Sequence, residues 1–187
     1  LTIEPNTQFS FNPPNLPCDD NIWSMQKEGQ ELLKCNDFFQ YEISAYAKKK
    51  FASIHNTNYW EFGDYIGIGA GAHSKITNFN DGKIERFSRH RVPKRYIELA
   101  GHSDVIAHKK ILDSDDISLE FMMNTLRLTN GIPANLFFER TGLHMNQIKK
   151  ELKYAKDRGL LDLCGDQIVA SSHGQRYLND LLEIFMK

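Results

Sequence analysis

Apolar and polar positions follow one another in blocks whose period changes along the chain. From Asn21 to Lys34, Ile22, Trp23, Met25, Leu32 and Leu33 recur among Gln, Glu and Lys. That pattern predicts an amphipathic helix, begun by a capping Asp19 or Asp20 and ended at Asn36. Ahead of it, Leu1–Ile3 alternates like the end of a strand, and Pro5, Pro13, Pro14 and Pro17 predict an irregular loop. Phe38–Tyr46 combines aromatic residues with alternation, which suits one half-buried strand, and a helix followed by a strand suggests an α/β unit. Tyr65–Ala72 reads as a small-residue strand that lets a backbone or a ligand come close. Asn80-Asp81-Gly82 predicts a hairpin turn into Lys83–Phe87.

The pattern changes near Leu112, where a domain boundary is expected between residues 1–112 and 113–187. Asp113-Ser114-Asp115-Asp116 supplies helix caps before Leu119, Phe121, Met122, Met123, Leu126 and Leu128. Gly131-Ile132-Pro133 opens a second helix that runs through Arg140, Thr141-Gly142-Leu143 turns the chain, and a third helix is expected over Met145–Arg158, closed by Gly159. Two short strands around Gly165-Asp166 follow within Leu160–Ala170, then a last helix near Gln175–Met186. Three helices and a hairpin make a winged-helix-like unit.

Composition narrows the class. With 187 residues, 41% hydrophobic and 25% charged, the chain can bury a core, and disorder and collagen-like repeats are excluded. The 23 basic residues nearly balance the 24 acidic ones, and no apolar run approaches the roughly 20 residues of a membrane span. The expected third helix carries five basic against two acidic residues over His144–Arg158, but 113–187 as a whole carries nine against eleven. No nucleic acid is therefore expected as a partner. Lys48-Lys49-Lys50 reads as a solvated loop. Cys18, Cys35 and Cys164 form neither a disulfide framework nor paired zinc ligands, which points to a reducing, cytoplasmic compartment. The opening Leu-Thr-Ile-Glu has no initiator Met and no signal peptide, so a piece of a longer polypeptide is expected.

Two segments can carry chemistry. Gly67-Ile68-Gly69-Ala70-Gly71-Ala72 satisfies a loose dinucleotide fingerprint, but that motif needs a helix directly after the glycines, and His73–Gly82 leads into a hairpin instead. His55-Asn56-Thr57-Asn58-Tyr59-Trp60 packs an imidazole, two amides and two large aromatics into six residues. His55 can ligate a metal through a neutral ring nitrogen, Asn56 can orient it, and Tyr59 and Trp60 can stack on a flat apolar ligand. Turn capping with aromatic anchoring of a loop is the other reading of the same residues.

Tyr41-Glu42-Ile43-Ser44-Ala45-Tyr46-Ala47, then His55-Asn56-x-x-Tyr59-Trp60, then Gly63-Asp64-Tyr65-Ile66-Gly67-Ile68-Gly69-Ala70-Gly71-Ala72-His73 resembles the HemW family, radical-SAM proteins related to oxygen-independent coproporphyrinogen III dehydrogenase. Leu1–Thr7 and the tail Gly174–Asp180 extend the resemblance over the chain. It implies an α/β fold in which part of a radical-SAM (TIM-like) barrel precedes the winged-helix-like α+β domain. It also implies S-adenosylmethionine and a [4Fe–4S] cluster in the full-length protein, although Cys18, Cys35 and Cys164 lack the CxxxCxxC spacing that holds such a cluster. The fragment alone is accordingly expected to be inactive. By the same resemblance Ala47, Gly67, Gly69, Gly71, Ala72 and His73 lie on the S-adenosylmethionine side. His55, Asn56, Tyr59 and Trp60 are the haem-binding candidates, with His55 the candidate iron ligand. Ser53-Ile54 departs from the cysteine and polar residue associated with relatives at that place. The implied function is haem chaperoning: haem or porphyrin is bound and delivered to respiratory haemoproteins by a protein, expected as a homodimer, in the cytoplasm or at the inner-membrane periphery. The alternatives are coproporphyrinogen III dehydrogenation and a non-enzymatic winged-helix binding module.

Overall fold

The computed structural model describes residues 3–186, and for Leu163 and Cys164 the backbone only. The expected strand end at Leu1–Ile3 falls largely outside them. A short helix α1 (Gln8–Phe11) interrupts the proline-rich stretch, and α2 (Asp19–Cys35) follows close to its expected bounds. Its N-cap is Cys18, which makes no side-chain cap bond; Asp19 and Asp20 lie instead in the first turn, where their charge favours the helix dipole. The helix rides on the surface without a buried residue.

The single strand expected over Phe38–Tyr46 is a hairpin. β1 (Phe39–Glu42) and β2 (Ala45–Ala47) pair antiparallel, Phe39 opposite Ala47 and Glu42 opposite Ala45, around Ile43-Ser44. Alternation continued through the turn and hid it. His55–Trp60 lies in the helix α3 (Ile54–Trp60) of about two turns, where a loop was expected. Tyr65–Ala72 is not a strand: only Tyr65 bridges, to Lys75, and Gly69 and Gly71 adopt positive φ.

A three-stranded antiparallel sheet follows, β3 (His73–Thr77), β4 (Ile84–Arg89) and β5 (Ile106–Ile111), with α4 (Pro93–Glu98) between the last two. The β3–β4 turn falls at the expected Asn80-Asp81-Gly82, and Gly82 has φ +69°. Lys75, Arg86 and Lys110 stand side by side across the three strands, a row of like charges that would repel. Each has its own carboxylate: Asp64 at 2.9 Å, Glu120 at 2.5 Å and Asp116 at 2.6 Å. Two of those acids belong to α5 (Ser114–Thr125), so the charge pairing also fastens the sheet to that helix.

Beyond α5 come β6 (Ile132–Pro133), α6 (Asn135–Thr141), a 3-10 turn at Met145–Gln147, α7 (Lys149–Asp157), β7 (Leu161–Cys164), β8 (Gln167–Ala170), α8 (Ser172–Arg176) and α9 (Leu178–Glu183). Ile132-Pro133 pairs with Gln167-Ile168 instead of opening a helix, which gives a sheet of order β6-β8-β7. The third helix begins four residues later than expected, and the last one is broken at Tyr177. Helix, strand, two helices and hairpin fit the winged-helix-like arrangement. Gly131 is required where this sheet meets the end of α5: a Cβ there would lie 2.3 Å from the Ile168 carbonyl oxygen, and its φ is +66°. Every strand pair among the described residues is antiparallel, so these sheets contain none of the parallel pairs of a barrel.

One core runs through both parts. Phe62, Phe121 and Phe137 stack edge to face at 5.7 and 5.1 Å, within a buried cluster that extends from Ile84 and Leu112 to Leu181 and Phe185. Each buried aromatic ring removes a large apolar area from water.

Candidate functional site

Helix α3 is seven residues long, too short to hold itself in water, and its neighbours fix it. Ser53 caps it, its hydroxyl accepting the Asn56 N–H at 3.2 Å. Asn56 and Trp60, four apart, share the inward face. Asn56 Nδ2 donates to the Tyr41 hydroxyl at 3.2 Å, and the guanidinium of Arg127 lies 4.4 Å from the Trp60 ring centroid. Tyr59 meets Trp60 edge-on at 4.9 Å and Tyr65 at 4.9 Å, and its backbone carbonyl accepts from Asn124 Nδ2 at 3.2 Å. Immediately after α3, Phe62 takes a left-handed conformation (φ +59°) and enters the core, a strained choice for a bulky residue that its burial enforces.

The motif therefore divides. Asn56, Tyr59 and Trp60 are half-buried and engaged with the protein, and Arg127 covers one face of the Trp60 ring. His55 is exposed, with no hydrogen bond or ion pair among the described residues. Ile54, next to it in sequence, is 87% exposed, and Phe51, four residues earlier, is 78% exposed. A histidine imidazole is the commonest protein ligand for transition metals.

Behind Tyr59, Arg86 donates to the Tyr65 hydroxyl and its Nε donates to Glu120 at 2.7 Å. Burial pushes the Tyr65 phenol up to about 12, so it stays neutral through the physiological range.

The glycine segment has its own internal bonding. The Gly67 N–H donates to Ser74 Oγ at 2.9 Å, the Gly69 N–H to the Tyr96 hydroxyl at 3.2 Å, and the Gly71 N–H to the His90 carbonyl at 2.9 Å. Arg89 Nε donates to the Gly67 carbonyl at 2.8 Å. With those amides occupied, the segment is not a phosphate cradle, and no helix follows it. Gly67 is required by close approach: a Cβ would sit 2.1 Å from the His73 carbonyl oxygen. Gly69 has open space on its Cβ side. Ala72 and His73 lead into β3, whereas Ala47 ends β2 in a different sheet.

The cysteines do not fit a cluster. Cys18 and Cys35 are exposed at opposite ends of α2, about 25 Å apart at 1.5 Å per residue. Among the described residues no group of three or more His, Cys, Asp or Glu is placed to hold a metal ion. Nor, among them, is any helix long and apolar enough to cross a membrane.

The residues that hold α3, Tyr41, Asn124 and Arg127, come from 15 to about 70 positions away in sequence. The one signal for the last two was polarity inside an apolar run: Asn124 and Arg127 interrupt Phe121–Leu128.

Residues 112–177 match the sequence model of the family described as HemN C-terminal domain. Over 186 residues the chain is 41% identical to the haem chaperone HemW of Haemophilus influenzae and 42% identical to that of Escherichia coli. All of this chain takes part in both matches, and 47% and 48% of the relatives do. Over its whole length the chain is similar to the C-terminal part of HemW-type radical-SAM proteins. It spans about half the length of these HemW relatives, and radical-SAM membership implies S-adenosylmethionine and a [4Fe–4S] cluster in the full-length HemW proteins. The fold is shared with a solved structure of coproporphyrinogen III oxidase (HemN) from Escherichia coli, a radical-SAM enzyme. The TM-score is 0.64 at 14% identity, over 91% of this chain and 42% of that one.

Proposed function

We propose that this chain is the haem-handling part of a HemW-type protein that binds haem and passes it to haemoproteins, respiratory ones among them. The observation that carries the reading is His55: it is the one side chain of the His-Asn-x-x-Tyr-Trp motif left unengaged, and it stands on a helix clamped by its other members. In this reading a ring nitrogen of His55 donates its lone pair to the haem iron, and Phe51 and Ile54 offer apolar surface to the macrocycle. Asn56, Tyr59 and Trp60 hold α3 and do not themselves stack on the porphyrin.

The segment from Gly67 to His73, together with Ala47, is assigned to the S-adenosylmethionine side of the longer protein, with the open flank of Gly69 as the point of approach. Cluster ligands are assigned to none of Cys18, Cys35 and Cys164. A homodimer located in the cytoplasm or at the inner-membrane periphery belongs to the same proposal. The lysines of α7 are assigned to a solvated face and not to nucleic acid.

The HemN likeness keeps one rival in view, oxidative decarboxylation of coproporphyrinogen III propionates. Full-length protein with its cluster reconstituted, offered haem and coproporphyrinogen III separately without oxygen, decides between them. Saturable haem absorbance with no vinyl product is expected, and turnover of coproporphyrinogen would overturn the chaperone reading.

A further inference from the structure

We infer that Arg127 and Glu42 are positioning residues for α3: they hold the Trp60 indole and thereby the pose in which the helix presents His55. The inference rests on the reading of His55 as a haem ligand.

Glu42 closes β1 and is 2% exposed. Its ion partner is Arg127, with Nη2 3.7 Å from Oε2, too far for a hydrogen bond. Arg127 Nη2 also donates to Ser44 Oγ at 3.2 Å. Glu42 Oε2, Arg127 Nε and Trp60 Nε1 are all buried without a hydrogen-bond partner. The Glu42 carboxylate, taken out of water this far, is poorly repaid by a partly exposed guanidinium at that distance, and apolar side chains in place of such a pair commonly serve stability as well. The cluster is therefore poorly explained as a device for stability.

Its placement is explained by the backbone. The Ile43 N–H donates to the Arg127 carbonyl at 3.0 Å, the Thr129 N–H to the Tyr41 carbonyl at 3.2 Å, and Glu42 forms a β-bridge with Leu128. These bonds sew the β1–β2 turn to the segment just after α5. The guanidinium is thus delivered to the indole face by the fold, and Glu42 fixes its charge there. A guanidinium 4.4 Å over the ring centroid makes a cation–π contact, in which its planar, weakly hydrated group suits the ring face better than an ammonium. With Tyr41 on Asn56 and Asn124 on the Tyr59 carbonyl, the end of α5 and the β1–β2 hairpin together set where a seven-residue helix points.

The test uses the 187-residue chain with W23F, which leaves Trp60 as the remaining one of two tryptophans. Acrylamide quenching then reads the exposure of Trp60, and ferric haem titration reads affinity. R127M is expected to raise quenching and to weaken haem about tenfold, the size of effect common for residues that support a metal ligand. Because R127M also strands a buried carboxylate, it is expected to lower the melting temperature. E42Q/R127M removes that stranded charge: its melting temperature returns most of the way to the parent, while quenching and haem affinity stay displaced. R127K, which keeps the charge and loses the planar group, is expected to restore stability without restoring either readout. Parental quenching and parental haem affinity in a folded E42Q/R127M would overturn the inference. If H55A leaves haem binding unchanged, the haem-ligand reading fails by itself, and the raised quenching still reports the clamp.

Discussion

Lys75 shows how single residues set the ground for the site. Its side chain is 1% exposed, with Nζ 4.2 Å from the Phe62 ring centroid and 2.9 Å from Asp64. Burial pulls the ammonium below its ordinary value despite the Asp64 hydrogen bond. Burial also pushes the Asp64 carboxyl up, but the bonds from Lys75, the Thr77 N–H and the Thr77 hydroxyl outweigh it and hold the group below its ordinary value. The pair thus favours the carboxylate without fully repaying the burial of the ammonium. Asp64 stabilises the fold above the ordinary carboxylate range, and that contribution is lost as pH falls through its lowered pKa. D64N strands the Lys75 charge and is expected to cost about 3 kcal/mol at neutral pH. Urea unfolding as a function of pH checks this: the difference from the parent should shrink as the parent's own carboxylate protonates below about pH 4. A constant difference would assign the loss to packing.

At the scale of elements, legibility followed local causes. The α2 stripe, the Asn80-Asp81-Gly82 turn and the β7–β8 hairpin around Gly165 were readable because amphipathic spacing and turn residues act over a few positions. The turn at Ile43-Ser44 was not, because neither residue is a turn former and the alternation runs straight through. Helix α3 lacked both length and period: it exists because Tyr41, Asn124 and Arg127 reach it from elsewhere. Ile132-Pro133 was misread for a similar reason, its partner strand lying some 35 positions later. His55 stood out as a candidate by residue type, whereas the division of its motif into one free and three engaged side chains was not legible. Helix α5 joins these elements, since it carries Phe121, Asn124 and Glu120, and its start is set by Asp113. The Asp113 side chain accepts the N–H groups of Asp115 and Asp116 at 3.0 and 2.9 Å. D113A is expected to lower unfolding stability by about 1 kcal/mol in urea melts; an unchanged midpoint would show that the packing of α5 alone sets its start.

Across the whole molecule, the proposed boundary near Leu112 separates two parts that share a core, since Phe62 and Ile84 belong to the same buried cluster as Phe121, Phe137 and Leu181. The motif helix stands where those parts meet. Its outer side carries a free imidazole next to the exposed Ile54, and its inner side is gripped by a guanidinium, an amide and a phenol. The proposed haem handling would use such a division, with a ligand presented at the surface and a rigid mount beneath it. Ferric haem titrated into the 187-residue chain and into H55A, followed by absorbance, tests this most directly. The chain should give a saturable Soret shift of imidazole ligation that H55A loses, with affinity at least about tenfold weaker; the same spectrum and affinity in H55A would contradict it.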